Sequence, residues 1–130
     1  MSIVIKDYKE FSRSIPIHGD DFIDICLPDD QTISFERRHF ISSTPLIFCF
    51  TGNIYVYDGL SVSADGTSKV HLFDNSSCAA GESATIHMYG KNRIMAGSRY
   101  TDSVAIYVEK GAVEMNGFID CVGNTKIVKR

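Results

Sequence analysis

Six ring-bearing side chains recur at sixteen-residue intervals, as Tyr55, His71 and His87 and, two residues further on, as Tyr57, Phe73 and Tyr89. Rings repeated at a fixed spacing suit recognition, because Tyr is enriched at binding hot spots and contiguous exposed aromatic patches mark interaction sites. His71 and His87 have no carboxylate at the neighbouring positions and form an incomplete ligand set, so no metal is expected. A second group is acidic: Asp20, Asp21, Asp24, Asp29 and Asp30 fall within eleven residues that contain no Lys or Arg. Such a patch can mimic phosphates or dock on a basic protein groove. Asp58 and Asp74 are followed by Gly59 and Asn75, which is turn chemistry and not a carboxylate pair for acid–base work. The chain carries no Gly-x-Ser-x-Gly, no P-loop and no Gly-x-Gly-x-x-Gly. These residues speak for binding, without catalysis and without a cofactor.

What positions the rings is a repeat. Cut every eight residues from Leu46, the chain reads LIFCFTGN, IYVYDGLS, VSADGTSK, VHLFDNSS, CAAGESAT, IHMYGKNR, IMAGSRYT. The first position runs Leu46, Ile54, Val62, Val70, Cys78, Ile86, Ile94, and the third Phe48, Val56, Ala64, Leu72, Ala80, Met88, Ala96. All are apolar, whereas the second half of each block is rich in Gly, Asp, Asn, Ser and Lys. Positions one and three of a strand point to the same side, so each octad is a short strand with an inward apolar pair, then a turn. A four-residue strand cannot bury its inner face alone. Stacked neighbours must do it, which predicts an all-β, parallel β-solenoid with coils about 4.8 Å apart.

A longer period overlies the octad. Blocks with bulky outward residues alternate with blocks carrying Ser63, Ala79 and Met95, then Asp65, Gly81 and Gly97. The alternation predicts two octads, sixteen residues, per coil and a flattened two-faced section; three octads per coil is the alternative. One face then presents the six rings and the other is small and smooth, open to close packing of a second copy through Ala79, Gly81 and Met95. The rings are either an exposed recognition face, core beneath the N-terminal segment, or simply a stabilising ladder.

The Tyr-Asp-Gly, Phe-Asp-Asn and Tyr-Gly-Lys-Asn turns that follow these strands resemble those of octad-repeat solenoid proteins of bacteria and their prophages. The unit of that class looks like Ala-Ser-Val-x-Ala-Tyr-Gly/Asp-Asn. The resemblance covers residues 54 to 93 best and is to a repeat class; it implies the solenoid fold and a phage or mobile-element origin. Ser68-Lys69 and Asn92-Arg93 replace the usual small pair, and Asp65 or Gly81 replaces the aromatic.

The flanks are irregular. Residues 1–45 are expected as an N-terminal cap: a short helix over residues 7–14, stopped by Pro16, then a hairpin or irregular first coil over residues 22–35. Residues 46–117 form the solenoid, with Val104 and Ile106, Val113 and Met115, then Ile119 and Cys121 as further inward pairs. Residues 118–130 close the stack as a strand whose Lys126, Lys129 and Arg130 keep the open edge soluble. One domain is enough for 130 residues. Ile and Val number 24 against 11 for Leu and Ala, which agrees with a β-rich chain. A net charge of −3 argues against direct nucleic-acid binding. No apolar run is long enough for a membrane helix and no signal peptide is evident. Four widely spaced cysteines without Cys-x-x-Cys predict free thiols in the cytoplasm.

The function expected from these features is a non-enzymatic protein-binding module that uses the flat aromatic face and the acidic cap. The resemblance gives it one form, an inhibitor of a host defence or nucleic-acid enzyme. A non-catalytic carbohydrate binder and a structural part of a phage particle are the alternatives.

Overall fold

In the computed structural model of the chain, which describes residues 2–19, 21–97, 101–113, 119–121 and 124–130, the octads become alternate strands of two parallel sheets. The first sheet stacks β1 (Ser2–Ile5), β3 (Phe22–Cys26), β6 (Leu46–Thr51), β8 (Ser61–Ala64), β10 (Ser77–Ala80), β12 (Arg93–Ala96) and β14 (Ile119–Cys121). The second stacks β4 (Thr32–Phe35), β7 (Asn53–Val56), β9 (Lys69–Leu72), β11 (Thr85–Met88), β13 (Ala105–Val108) and β15 (Lys126–Lys129). A small pair, β2 (Ile17–His18) and β5 (Phe40–Ile41), lies apart. From β6 onward the chain crosses between the two sheets at every turn, and in the regular coils residues sixteen apart are ladder partners, as in Ile54↔Val70↔Ile86. The molecule is a β-solenoid with two octads per regular coil.

Each regular octad buries three residues, not two. Besides the apolar pair, the seventh position (Leu60, Ser68, Ser76, Ala84, Asn92) is buried at the corner. Polar side chains are admitted there because their hydrogen bonds close locally. The Ser68 and Ser76 hydroxyls donate to the carbonyls of Asp65 and Phe73 at 2.9 and 2.7 Å. Asn92 donates to the Ser76 carbonyl at 2.9 Å and accepts from the Gly90 amide at 3.0 Å. Corners pack tightly: a Cβ on Gly90 would collide with the Asp74 carbonyl oxygen.

Some of the expected inward positions are displaced. Leu46 is 58% exposed and Phe48 half-buried, while Ile47 and Cys49 fill the core. Only four residues separate Cys49 from Ile54, where five separate the inward pairs of later octads. The shorter corner turns at Gly52, whose φ of 95° is closed to most L-residues and which lies against Leu27. Further on, the buried pair of β13 is Ile106 and Val108, and Val104 occupies the corner. Val113 is 45% exposed and Cys121 is exposed on the terminal strand of its sheet among the described residues. Met115 lies outside the described residues.

Residues 1–45 supply coils as well as a cap. No hairpin forms: β3 and β4 sit in different sheets and pair in parallel with β6 and β7. The solenoid therefore starts before Leu46. The helix α1 (Tyr8–Ser14), capped by the Asp7 carboxylate on the Glu10 amide at 2.8 Å, lies against β1 and β4. These are the first strands of the two sheets, so Phe11 plugs the open end of the core edge-on against Phe35 and His39. Among the described residues, no helix is long and apolar enough to cross a membrane.

Candidate functional site: two ring ladders on the second sheet

Strand alternation puts the residues between the inward pairs on the outer surface, and parallel in-register pairing stacks like on like. Tyr55, His71 and His87 accordingly form one ladder, with ring centroids 4.5 Å apart at both steps and the two imidazoles within 5° of parallel. Tyr57, Phe73 and Tyr89 form the other, at 4.6 Å per step and within 9°. The structure adds a seventh ring: Tyr107 stacks 5.0 Å from His87, and the Arg130 guanidinium covers it at 4.7 Å. Tyr107 escapes the octad count because residues 97–104 insert extra chain, making the step from Thr85 to its partner Ala105 twenty residues. The signal that could have found it is the Ile-Tyr-Val of residues 106–108, which repeats Ile-Tyr-Val at 54–56.

All seven rings are half-buried rather than buried, so they are not core beneath the N-terminal segment. Stacking covers both faces of His87 and Phe73, so these rings turn their edges to the surface, whereas Tyr55 is tilted by 48° to His71. The His71 Nδ1 lies 3.3 Å from the Tyr89 hydroxyl, and the His87 Nδ1 lies 3.3 Å from a Glu109 carboxylate oxygen that also accepts from Arg130 Nε at 3.0 Å. Burial, with the neighbouring His87 adding to it, pushes His71 down to about 4, so it is neutral at physiological pH. Burial also raises the Tyr57 and Tyr89 phenols. At Glu109 burial acts upward, but the bonds from His87 and Arg130 outweigh it and hold the carboxyl below its ordinary value.

Parallel imidazoles aim their lone pairs along parallel planes and cannot converge on one ion, and each Nδ1 already has a partner. Among the described residues no three His, Cys, Asp or Glu side chains gather as a metal site. The carboxylates flanking the second ladder, Glu36 and Glu109, are separated by four strand spacings, about 19 Å. Paired carboxylates of glycoside hydrolysis stand roughly 5 to 9.5 Å apart. Asp58 and Asp74 are corner residues with φ of 61° and 56°. The Asp74 carboxylate accepts the Asp58 amide and the Asp58 carboxylate accepts the Arg37 amide, both at 3.1 Å, a capping ladder along the stack.

The acidic residues are not brought to the rings. Asp24 projects from β3 on the opposite sheet, Asp29 and Asp30 are exposed at the corner between β3 and β4, and Asp21 is half-buried just before β3. Asp20 lies outside the described residues. On the first sheet, Ala79 and Met95 are exposed, but Gly81 and Gly97 are buried. Gly81 lies under the carboxylate of Asp65 with that of Asp102 nearby, so it is not available as contact surface. All four cysteines are free: Cys26 and Cys121 are exposed, while Cys49 and Cys78 are buried, which pushes the Cys78 thiol up to about 12.

No protein-family model, curated protein or solved structure matches this chain.

Proposed function

We propose that the chain is a non-enzymatic recognition module that holds a protein partner against the ring ladders of its second sheet. The observation that carries this reading is the seven-ring surface, half-exposed and fixed at two rungs per coil by the core beneath it. A pre-ordered aromatic surface loses little side-chain entropy on binding, which is how rigid anchors gain affinity. Edge-on presentation favours a protein over a sugar or a nucleobase. Sugar rings and bases both bind by lying on open aromatic faces, and here the interior rings His87 and Phe73 spend both faces on their neighbours. Tyr hydroxyls and His nitrogens among the ring edges instead offer hydrogen bonds at the spacing of a polypeptide strand.

The likeness of the repeat to prophage octad proteins supports a particular form of this module, an inhibitor of a host defence or nucleic-acid enzyme. With Asp24 on the opposite sheet, the acidic residues are no part of the same contact surface; Asp29 and Asp30 flank it at a corner.

The experiment is capture from a bacterial lysate by the immobilised chain, compared with Tyr57→Ala/Tyr89→Ala and quantified by mass spectrometry. The two substitutions remove exposed ring area and leave the inward pairs intact, so circular dichroism should show the same β content. The expected result is one enriched protein that the double variant fails to retain. Equal capture by the folded variant, or retention on polysaccharide alone, overturns the proposal.

A further inference from the structure

The outer surface of the first sheet is not uniformly small. From β3 to β12 it runs from bulky Phe22 and Asp24, through Leu46 and Phe48, to Ser61 and Ser63, then Ser77 and Ala79, and ends on Arg93 and Met95. Phe22, Leu46 and Met95 are 45%, 58% and 66% exposed. The small residues between them floor a groove of about 480 Å³. Bulk at one end, a depression in the middle and bulk at the other end is a self-complementary relief.

We infer that this surface joins two copies of the chain face to face about a two-fold axis lying along β8. The axis keeps each strand position opposite its own kind and reverses the stacking order, so β6 meets β10 and β3 meets β12. Leu46 and Phe48 of one copy then enter the depression over Ser77 and Ala79 of the other, and the same contact recurs by symmetry. At the ends Arg93 meets Phe22 and lies within side-chain reach of Asp24. Asp24 and Arg93 have no ion-pair partner within the chain among the described residues, and the pairing provides one twice over. Ser61 and Ser63 meet their own copies on the axis, where the Ser61 hydroxyl is already held by Ser77 at 2.6 Å.

Neighbouring registers are worse. Slid one strand one way, Leu46 and Phe48 abut Arg93 and Met95 while the depressions face each other and leave a void. Slid the other way, bulk still meets small residues, but Arg93 leaves Asp24 and faces Ser2. Charge complementarity therefore selects the register.

The test is sedimentation of the full chain, under reducing conditions because Cys26 and Cys121 are exposed. The expected result is a concentration-dependent dimer. Ala79→Arg, which fills the depression, should raise the dissociation constant by about tenfold or more, and Asp24→Arg or Arg93→Asp alone by roughly tenfold. All three positions are outside the core, and β content is checked by circular dichroism. The reciprocal Asp24→Arg/Arg93→Asp swap should recover most of the affinity that each single change loses, a recovery that a misfolded variant could not give. A chain that is monomeric at all concentrations overturns the inference. So does a dimer indifferent to Ala79→Arg, a swap no better than its singles, or a dimer lost in Tyr57→Ala/Tyr89→Ala. That last variant separates this surface from the ring face: it should remain dimeric whether or not the ring face binds a partner.

Discussion

The two outer faces of the solenoid rest on one core and differ in almost every other respect. On the second sheet, identical or similar rings stand rung above rung and spend their faces on each other. On the first, bulky and small residues succeed one another along the stack. Strand alternation makes this division possible: the inward pair and the corner residue specify the coil, and the second position of each strand is free of that duty. A ladder of like residues stabilises its own face, whereas a relief of unlike residues leaves contact energy available to another surface. The comparison separates what folds the chain from what the chain can bind.

The largest expected effect should break both faces at once. Asn92 sits fully buried at the corner where β11 leaves the ring face for β12. Asn92→Ala leaves the Gly90 amide and the Ser76 carbonyl without that side chain at a buried corner, which should cost about 2–3 kcal/mol in urea unfolding. If the loss falls within 0.5 kcal/mol of zero, as is ordinary for surface changes, the corner is not the shared hinge of the two faces.

Asn92 also marks the limit of what was legible in the sequence. The inward pairs from Ile54 to Ala96 stand out because strand period and coil period coincide, and a sixteen-residue coil follows from the alternation of bulky and small blocks. The corner position hides because Leu60, Ser68, Ser76, Ala84 and Asn92 share no hydropathy; they share only a geometry that local hydrogen bonds can satisfy. A count that assumes equal corners puts Leu46 and Phe48 inward, whereas the tight turn at Gly52 removes one residue and turns them outward. The strands over residues 22–35 are legible as a hairpin or irregular first coil, but β1, the parallel pairing of β3 and β4 and the place of Tyr107 escape the count, since steps of 20 to 24 residues break the period. The ring ladders were legible as a set, but their edge-on presentation was not. It depends on stacking angles that residue types alone do not encode.

A pH titration distinguishes the faces more finely. His71 is held at about 4 against an ordinary 6.5, so an unfolded chain takes up this proton first as pH falls. The neutral ring is thus a stabilising feature that is fully present above pH 6.5, declines as pH drops toward 4, and levels off below. Because the ring is only half-buried, solvent screening reduces the contribution to about 1–2 kcal/mol. His71→Phe keeps a ring in the ladder and removes the proton, so its stability should be flatter across this window. An unchanged slope in the variant would assign the acid sensitivity elsewhere.

The smallest effect tests how the ring face ends. A ladder of stacked rings has one open face at each terminus, and an apolar ring face in water is a point of weakness. At Tyr107 that face is covered by the Arg130 guanidinium, which is also anchored by its bond to Glu109. Glu109 in turn holds His87, so the last two rungs of the first ladder, His87 and Tyr107, are tied through one carboxylate and its Arg130 partner. On the first sheet the terminal strand β14 carries an exposed Cys121. Arg130→Ala should therefore cost about 0.5–1 kcal/mol, the scale of a partly exposed cation–π contact with a surface ion pair. Arg130→Lys keeps the charge but loses the planar fork, and should recover only part of this. Added salt should narrow the gap between wild type and Arg130→Lys by screening the ion pair, while the stacking share of the Arg130→Ala loss persists. Equal stability of all three chains at low salt would mean that the ladder closes without its cation, and that the ring face owes its order to stacking alone.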